Sequence, residues 1–400
     1  MSAKRNDFNH RPTIYDVAER AGTSYATVSR YLNGRSGVAA STAKRIEQAI
    51  KDVDYTPSAA ARSLAQQRTH LIALIIHARS EDIITDPNIM QIIASANARV
   101  TREGWQMVTL MSENDGESRA NIERLVSGGF ADGYLLYTME EDDPLLPLFE
   151  RRSMHAVISG TGYRQQPPFV SVDVDNTAAM SELIRYVLTG ETHSAGDGAD
   201  DADTTGTTTA GDATAALRRT RPAYICGPLN MPGAPERLAA FRAVTGELLP
   251  DSADSLPVHY AADWKTTSAA AAVRAWAEDG TLATRDAIIC ANDTLALGAI
   301  EELHRLGYDV PGDVAVSGFD NSSAATSITP RLTTVDQHME RRGWVMAGLV
   351  IDQIRDTDKN GDGNGDRNAS ADDAGNPDDA GDAPSKTVML ATDLVIRESA

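Results

Sequence analysis

The chain has 400 residues, 42% of them hydrophobic, enough for two or three domains with real cores. Its formal charge of −20 argues against blanket affinity for nucleic acid or an anionic membrane surface, and no stretch is long and apolar enough to span a bilayer. The opening MSAKRNDFNHRPT lacks the apolar centre of a secretory signal, and the two cysteines, Cys226 in AYICGP and Cys290 in AIICAND, read as small buried hydrophobes in a reducing cytoplasm rather than as a disulfide or metal site.

The charge is unevenly spread. Residues 1–68 hold 11 Lys and Arg against 6 Asp and Glu, so a head of +5 precedes a body of −25. That asymmetry suits a nucleic-acid reader joined to a separate second domain.

Within the head, TIYDVAERAG sets Ile14, Val17, Ala18 and Ala21 on one helical face. Thr13 is a cap, Asp16 suits the first turn, and Gly22 follows as a left-handed stop. Ser24 caps a second helix, Tyr25 to about Asn33, whose buried side is Val28 and Leu32. Two short helices joined by a tight glycine turn form a helix-turn-helix, with Ala18 small where they cross. In that motif the N-terminal part of the second helix enters the major groove. Arg30 has the reach for guanine O6 and N7, while Tyr15, Thr27 and Ser29 suit phosphates. An ordinary amphipathic pair with a solvated face is the plainer reading of such a helix alone; the glycine, small residue and valine at fixed offsets in a basic domain favour DNA. A third helix is expected from Ser41 to Asp54, with Ile46, Ala49, Ile50 and Val53 as its stripe. Pro57 and Ser58 then open a short alanine-rich segment to Ala65, too short to be a stable helix alone.

From Leu71 apolar runs alternate with helical stretches. Strands are expected at 71–77, 106–111, 133–138, 155–160, 223–228, 258–263, 287–292 and 314–320, with helices between them such as Ile89–Glu103 and Thr294–Leu306. Short buried strands alternating with helices predict two doubly wound parallel-sheet subdomains. Asp263-Trp264, Asn292-Asp293 and Asp320-Asn321 each follow a strand, at the edge where ligands bind in such sheets. Carboxylates and amides bond hydroxyls, and an indole stacks on a sugar ring; Arg237 in PERLAAFR is a fork donor for the same cleft. Taken singly, each reads as a turn or helix cap before it reads as a ligand contact, and Asn292-Asp293-Thr294 in particular fits a cap. His77 ends a strand and reads as structural or solvent-facing rather than as a ligand contact.

Two segments, 191–216 and 356–385, are poor in apolar residues and rich in Gly, Ala, Asp and Thr, and are expected to be disordered loops. The first holds 6 acidic and no basic residues and the second 9 acidic and 2 basic. Together they carry most of the negative charge, which therefore says little about partners. DTDKNGD, 356–362, matches the first half of a calcium loop, but position twelve falls on Arg367 where a bidentate Glu is needed, and no metal site is expected. There is no Walker loop, no Gly-x-Gly-x-x-Gly after a strand and no His-Glu-x-x-His, so no enzyme and no cofactor is predicted.

The motifs TIYDVAERAG, YATVSRYLNG and YTPSAAARSLA resemble the lactose-repressor (LacI/GalR) family of bacterial transcription regulators. GPLNMPGAPERLAAFR, ANDTLALGAIEELHRLGYDVPGDVAVSGFDN and RLTTVDQ are similar to that family's effector domain, which has the periplasmic sugar-binding-protein fold. The resemblance covers nearly all of the chain apart from the two insertions. It implies a helix-turn-helix domain over 1–57, a hinge helix and linker over 58–70, and an effector-binding and dimerisation domain over 71–400. It also implies base-reading positions at Tyr25, Ala26 and Arg30, a slim hinge including Ala61, and Leu64 as a minor-groove wedge. The DNA-contacting set becomes Thr13, Tyr15, Ser24, Tyr25, Ala26, Thr27, Ser29, Arg30, Asn33, Ala61 and Leu64. The effector contacts become Arg237, Asn292 and Asp320, more loosely Trp264 and Gln337. The chain departs from the family at Ala39, where a capping Ser is usual, at Ser58 for the hinge Asn, at DPNIM, 86–90, where ligand-contacting aromatics are missing, and at Gly160, where some members present a polar contact.

The expected protein is a cytoplasmic, sequence-specific DNA-binding regulator, a repressor of carbohydrate-metabolism genes. Its expected partners are a near-palindromic double-stranded operator, a second copy of itself and a small effector, a sugar; no membrane is involved. No heptad tail follows TDLVIRESA, so a homodimer is expected rather than a coiled-coil tetramer. The rival reading is a sugar-binding transport-type protein without a DNA role, against which the helix-turn-helix and the missing signal peptide count.

Overall fold

The computed structural model describes residues 12–32, 37–56, 68–78, 86–113, 116–140, 143–152, 154–160, 169–192, 217–361 and 387–400. The chain divides into two compact units, Met1–His70 and Leu71–Ala400.

In the first unit, α1 (Ile14–Ala21) starts after an extended Thr13, and the Asp16 carboxylate accepts from both the Thr13 backbone N–H at 2.6 Å and its hydroxyl at 2.7 Å. Gly22 ends the helix at φ 60°, a conformation that costs other residues more. Ser24 Oγ then accepts the Thr27 N–H at 3.2 Å, capping α2 (Tyr25–Leu32). α3 runs Ala40–Asp52 rather than Ser41–Asp54, because Asp54 turns to φ 50° and Tyr55 N–H closes back on the Ile50 carbonyl at 3.0 Å. Ala39 precedes α3 without a side-chain cap, so a free donor of the first turn lacks the hydroxyl that Ser would supply. Val17, Val28 and Ile46 are fully buried between the helices, and Arg20 pairs with Asp52 at 2.6 Å. Ala61 and Leu64, expected in a hinge, and Asn33 lie outside the described residues.

The second unit begins with β1 (Leu71–His77), α4 (Pro87–Arg102), β2 (Gln106–Ser112), α5 (Gly116–Ser127), β3 (Gly133–Tyr137), α6 (Leu146–Arg151), β4 (Ala156–Ser159) and β5 (Val170–Val174). The chain then passes through α7 (Asn176–Thr189), β6 (Pro222–Cys226), α8 (Ala234–Leu248), β7 (Val258–Tyr260), α9 (Thr266–Glu278), β8 (Ala287–Cys290), α10 (Asp293–Arg305) and β9 (Ala315–Ser317). It ends with α11 (Ala324–Ser327), β10 (Thr334–Asp336), α12 (Met339–Gly361), β11 (Thr387–Leu390) and β12 (Asp393–Val395).

Two sheets are parallel throughout, ordered β11-β5-β4-β3-β1-β2 and β7-β6-β8-β9, and β10 and β12 form a separate antiparallel pair. β1 illustrates why these runs are continuously apolar. Ile72, Leu74 and Ile76 pack with α4 and α12, while Ala73 and Ile75 pack with α5 and α6, so the period-two alternation feeds two cores. Gly343 lets α12 lie against α4, since a Cβ there would come within 2.9 Å of the Ile92 carbonyl. The second sheet has its own core with α7 to α10. Among the described residues the chain crosses between the two subdomains after β5, after β10 and after β11.

All eight sequence-predicted strands are present, several shorter than expected; Thr138 at φ 56°, for example, ends β3. β5, β10, β11 and β12 were not predicted. One expectation needs correction: 356–385 is not a loop from its start, because α12 continues to Gly361, and the Thr357 hydroxyl donates to the Gln353 carbonyl at 3.1 Å. Helical backbone there is incompatible with the first half of a calcium loop. Residues 193–216 and 362–385 of the two insertions lie outside the described residues.

Candidate effector cleft and DNA-reading helix

The second unit contains a cleft between its subdomains that opens to solvent and encloses about 110 Å3. Arg237, Trp264, Asn292, Asp320 and Gln337, all taken from the sequence, line it together.

Each is placed by the element it follows. Asp320 lies just past β9, at φ 122°, held there by its N–H on the Val335 carbonyl at 2.8 Å. Its Oδ2 accepts from Asn88 Nδ2 at 2.7 Å, and its Oδ1 from Gln337 Nε2. Arg237, in the first turn of α8, donates from Nε to Asn176 Oδ1 at 2.9 Å and from Nη1 to the Ala291 carbonyl at 2.8 Å. Its guanidinium lies 3.7 Å from the Phe319 ring centroid and 3.9 Å from Asp320 Oδ1. Burial drives the Arg237 pKa down and the Asp320 pKa up; Arg237 opposes the latter. Asn292 caps α10, Oδ1 accepting the Leu295 N–H at 2.9 Å, and also lines the cleft. Trp264 packs closely against Gly227, where any Cβ would overlap its six-membered ring.

Neighbouring polar residues serve the scaffold. Asp263 accepts from Lys265 N at 3.1 Å and Ser268 Oγ at 2.5 Å. Asn321 bridges Asp336 and Arg397. Asp293 is fully buried, bonded by Thr334 Oγ1 at 2.6 Å and Ser322 N at 2.7 Å; burial, then the nearby Asp320, push its pKa up to about 8. His77 is also buried, with Nδ1 2.8 Å from Asp143 Oδ2. Cys226 and Cys290 are buried free thiols, and burial pushes Cys226 up to about 11. Among the described residues no cluster of His, Cys, Asp or Glu has the makings of a metal site, and no helix is long and apolar enough to cross a membrane.

The first subdomain's contribution was missed in the sequence. Asn88, Tyr137, Ser159, Asp173 and Arg342 also line the cleft, with Asn176 from α7. Asn88 sits in the DPNIM stretch noted only for its lack of aromatics. Arg342 hid in MERRGWVM, where two adjacent arginines in a helix's first turn look solvated.

In the first unit, α2 buries Val28 and exposes Tyr25, Ala26 and Arg30; Thr27 and Ser29 are half-buried. Tyr15 from α1 and Tyr25 from α2 stack at 5.0 Å and 17°, although both are exposed. Thr13 and Ser24 stand at the caps of α1 and α2, as above.

Residues 13–58 match the family model of bacterial regulatory proteins, lacI family, and 212–365 match a periplasmic binding protein-like domain. The transcriptional regulator CelR of Thermobifida fusca is 30% identical over 346 residues, covering 86% of this chain and 92% of that protein. The chain belongs to the lacI family of bacterial regulatory proteins. It is a helix-turn-helix transcription regulator. Other similar proteins are the HTH-type transcriptional repressor PurR of Proteus mirabilis, 29% identical over 86% of this chain and 90% of its own, and the ribose operon repressor of Escherichia coli K12, 28% identical over 86% and 93%. Among solved structures, a CelR–cellobiose complex matches with TM-score 0.62 and 26% identity over 98% of this chain and 100% of that one. A Lac repressor dimer bound to operator and an anti-inducer matches with TM-score 0.73 over 98% and 99%; at 21% identity it bears on the lacI-family fold alone.

Proposed function

We propose that the protein is a repressor of carbohydrate-metabolism genes that binds a near-palindromic DNA operator as a homodimer and is released or recruited by a neutral sugar. In this reading Tyr25, Ala26 and Arg30 read bases, and Thr13, Tyr15, Ser24, Thr27, Ser29 and Asn33 bind phosphates or fix register. Ala61 and Leu64 act in a hinge over 58–70. The body, 71–400, binds effector through Arg237, Trp264, Asn292, Asp320 and Gln337, and works in the cytoplasm without catalysis.

The observation that carries the sugar reading is the charge pairing in the cleft. Arg237 stands beside Asp320, and Arg342 Nη2 is 3.7 Å from Asp173 Oδ1. Each buried cation has its own carboxylate, so an anionic effector gains no unmatched charge. A polyol both donates and accepts, and so satisfies carboxylates, amides and guanidinium groups at once. Trp264 offers the flat apolar surface. Cellobiose, bound in the similar CelR complex, is the first probe to try. The cleft can alter DNA binding only if sugar prefers one arrangement of the subdomains, which is coupling through differential affinity.

The test is selection of bound sequences from random DNA by the full-length protein, repeated with cellobiose, glucose, ribose, glucuronate and glucose 6-phosphate. A palindromic consensus whose occupancy changes with a neutral sugar is the expected result. No consensus, or a response confined to the phosphate, overturns the reading.

A further inference from the structure

Arg342 and Arg237 face the same cleft but are satisfied very differently. Arg237 makes two hydrogen bonds under 3.0 Å and covers an aromatic ring. Arg342 is 6% exposed, and its nearest partners are long: Ser159 Oγ at 3.4 Å, Gln337 Oε1 at 3.2 Å and Asp173 Oδ1 at 3.7 Å. Its Nε has no hydrogen-bond partner among the described residues. A buried guanidinium holds five donors in a rigid fork, and leaving them poorly bonded away from water is costly. A group on the ligand removes that cost.

The surroundings define the group. Asp173, 4% exposed, stands beside the fork. A hydroxyl accepts from the guanidinium and donates to the carboxylate; a carboxylate or phosphate on the ligand would meet Asp173 and be repelled. Access depends on Gly160, at φ 86°, whose missing Cβ would lie 4.0 Å from Asp173 Oδ2 and 3.0 Å from Pro232 Cβ. A side chain at 160 would crowd the second subdomain's Pro232 and cover Asp173.

We propose that Arg342 and Asp173 form a second polar subsite, on the first-subdomain side of the cleft, that takes adjacent hydroxyls of a neutral sugar and sets effector specificity. Gln337 joins it to the Asp320 group, donating to Asp320 and accepting from Arg342. The sugar is therefore read at two of its edges, by Asp320 with Arg237 on one and by Asp173 with Arg342 on the other. This rests on the sugar reading above.

The experiment is calorimetric titration of the full-length protein with the sugar found to stabilise it in a thermal-shift panel of the five probes above, followed by that sugar's singly deoxygenated analogues. Arg342→Met and the near-isosteric Asp173→Asn should each weaken the parent sugar about ten- to hundredfold. One deoxy analogue should bind the unsubstituted protein that much more weakly, yet bind Arg342→Met no worse than the complete sugar does. Should Arg342→Met lose its fold, Asp173→Asn with the same analogue series decides. A protein stabilised by a neutral sugar but indifferent, within twofold, to both substitutions overturns the subsite while leaving the sugar reading intact. A protein stabilised by none of the neutral sugars overturns both.

Discussion

The Asn88 amide donates to Asp320 Oδ2 at 2.7 Å, joining the first turn of α4 in one subdomain to the end of β9 in the other. The bond spans the cleft, so an effector that engages Asp320 must share or displace it. Asp320 also carries the Gln337 bond and faces Arg237, so groups from both subdomains converge on one carboxylate.

Asp320→Asn keeps the shape and removes the charge. A hydrogen bond to a charged group contributes about 1.5–3 kcal/mol, so sugar affinity should fall roughly ten- to hundredfold, with DNA affinity in the absence of sugar retained. Calorimetry and anisotropy on the same preparation measure both. Unchanged sugar affinity would place the effector elsewhere.

Trp264 is seated by the absence of a side chain at Gly227. Gly227→Ala forces a methyl group into the indole, and overpacking of this kind costs about 1–3 kcal/mol. The ring should tilt away from the cleft, so sugar binding weakens more than thermal stability does. Tryptophan fluorescence should lose its sugar-dependent change. A variant that binds sugar normally would show that stacking on Trp264 is not used.

Asp293 gives a pH dependence of definite sign. Its folded pKa is pushed up to about 8 from an ordinary 3.8, so between those values the folded protein holds a proton that the unfolded chain has released. Stability therefore falls as pH rises from about 4 to about 8 and levels off on either side. Glu302 acts in the opposite sense at lower pH: Arg305 and Arg274 hold it down to about 2, so its contribution is present above the usual carboxylate range and is lost as acid protonates it. Asp293→Asn should flatten the Tm–pH curve between pH 5 and 8 and leave the acid limb alone. Parallel curves for the two proteins would show that Asp293 ionises normally.

Most parts of the site visible in the sequence were those that a strand delivers; Arg237, in the first turn of α8, was offered instead by its fork chemistry and by the family resemblance. Asn292 and Asp320 follow uninterrupted apolar runs, and the sheet geometry then fixes the edge they occupy. Asn88 and Arg342 enter from the first turns of α4 and α12, and nothing local to DPNIM or MERRGWVM tells which face of those helices meets the cleft. β5 escaped notice for a related reason: VSVDV buries Ser171 and Asp173, which a hydropathy pattern counts against a central strand. β11 follows a long acidic insertion that breaks the alternation of strands and helices. The helix-turn-helix was legible because its caps and stops, Thr13 with Asp16, Gly22 and Ser24, are local chemistry.

The stacked Tyr15 and Tyr25 pair makes the last prediction separable from Arg30. Both rings are solvent-exposed, at 66% and 47%, yet lie 5.0 Å apart and nearly parallel. A stack of this kind is worth about 0.5–1.5 kcal/mol and fixes Tyr25 at the entrance of α2. Arg30, one turn on, is exposed and free of packing duty, so Arg30→Ala should cost under about 0.5 kcal/mol of stability. On DNA the two should part. A bidentate arginine–guanine contact discriminates by about 1–3 kcal/mol, so Arg30→Ala should lose preference at one base pair of each half-site. Tyr15→Ala removes the group assigned to a phosphate and loosens Tyr25, so it should weaken all sequences and leave the preference read by Arg30 intact, any lost preference falling at the base pair assigned to Tyr25. Binding of both variants to a library of single-base operator changes distinguishes these outcomes. If Arg30→Ala weakens every sequence equally, Arg30 binds phosphate, and base reading falls to Tyr25 and Ala26.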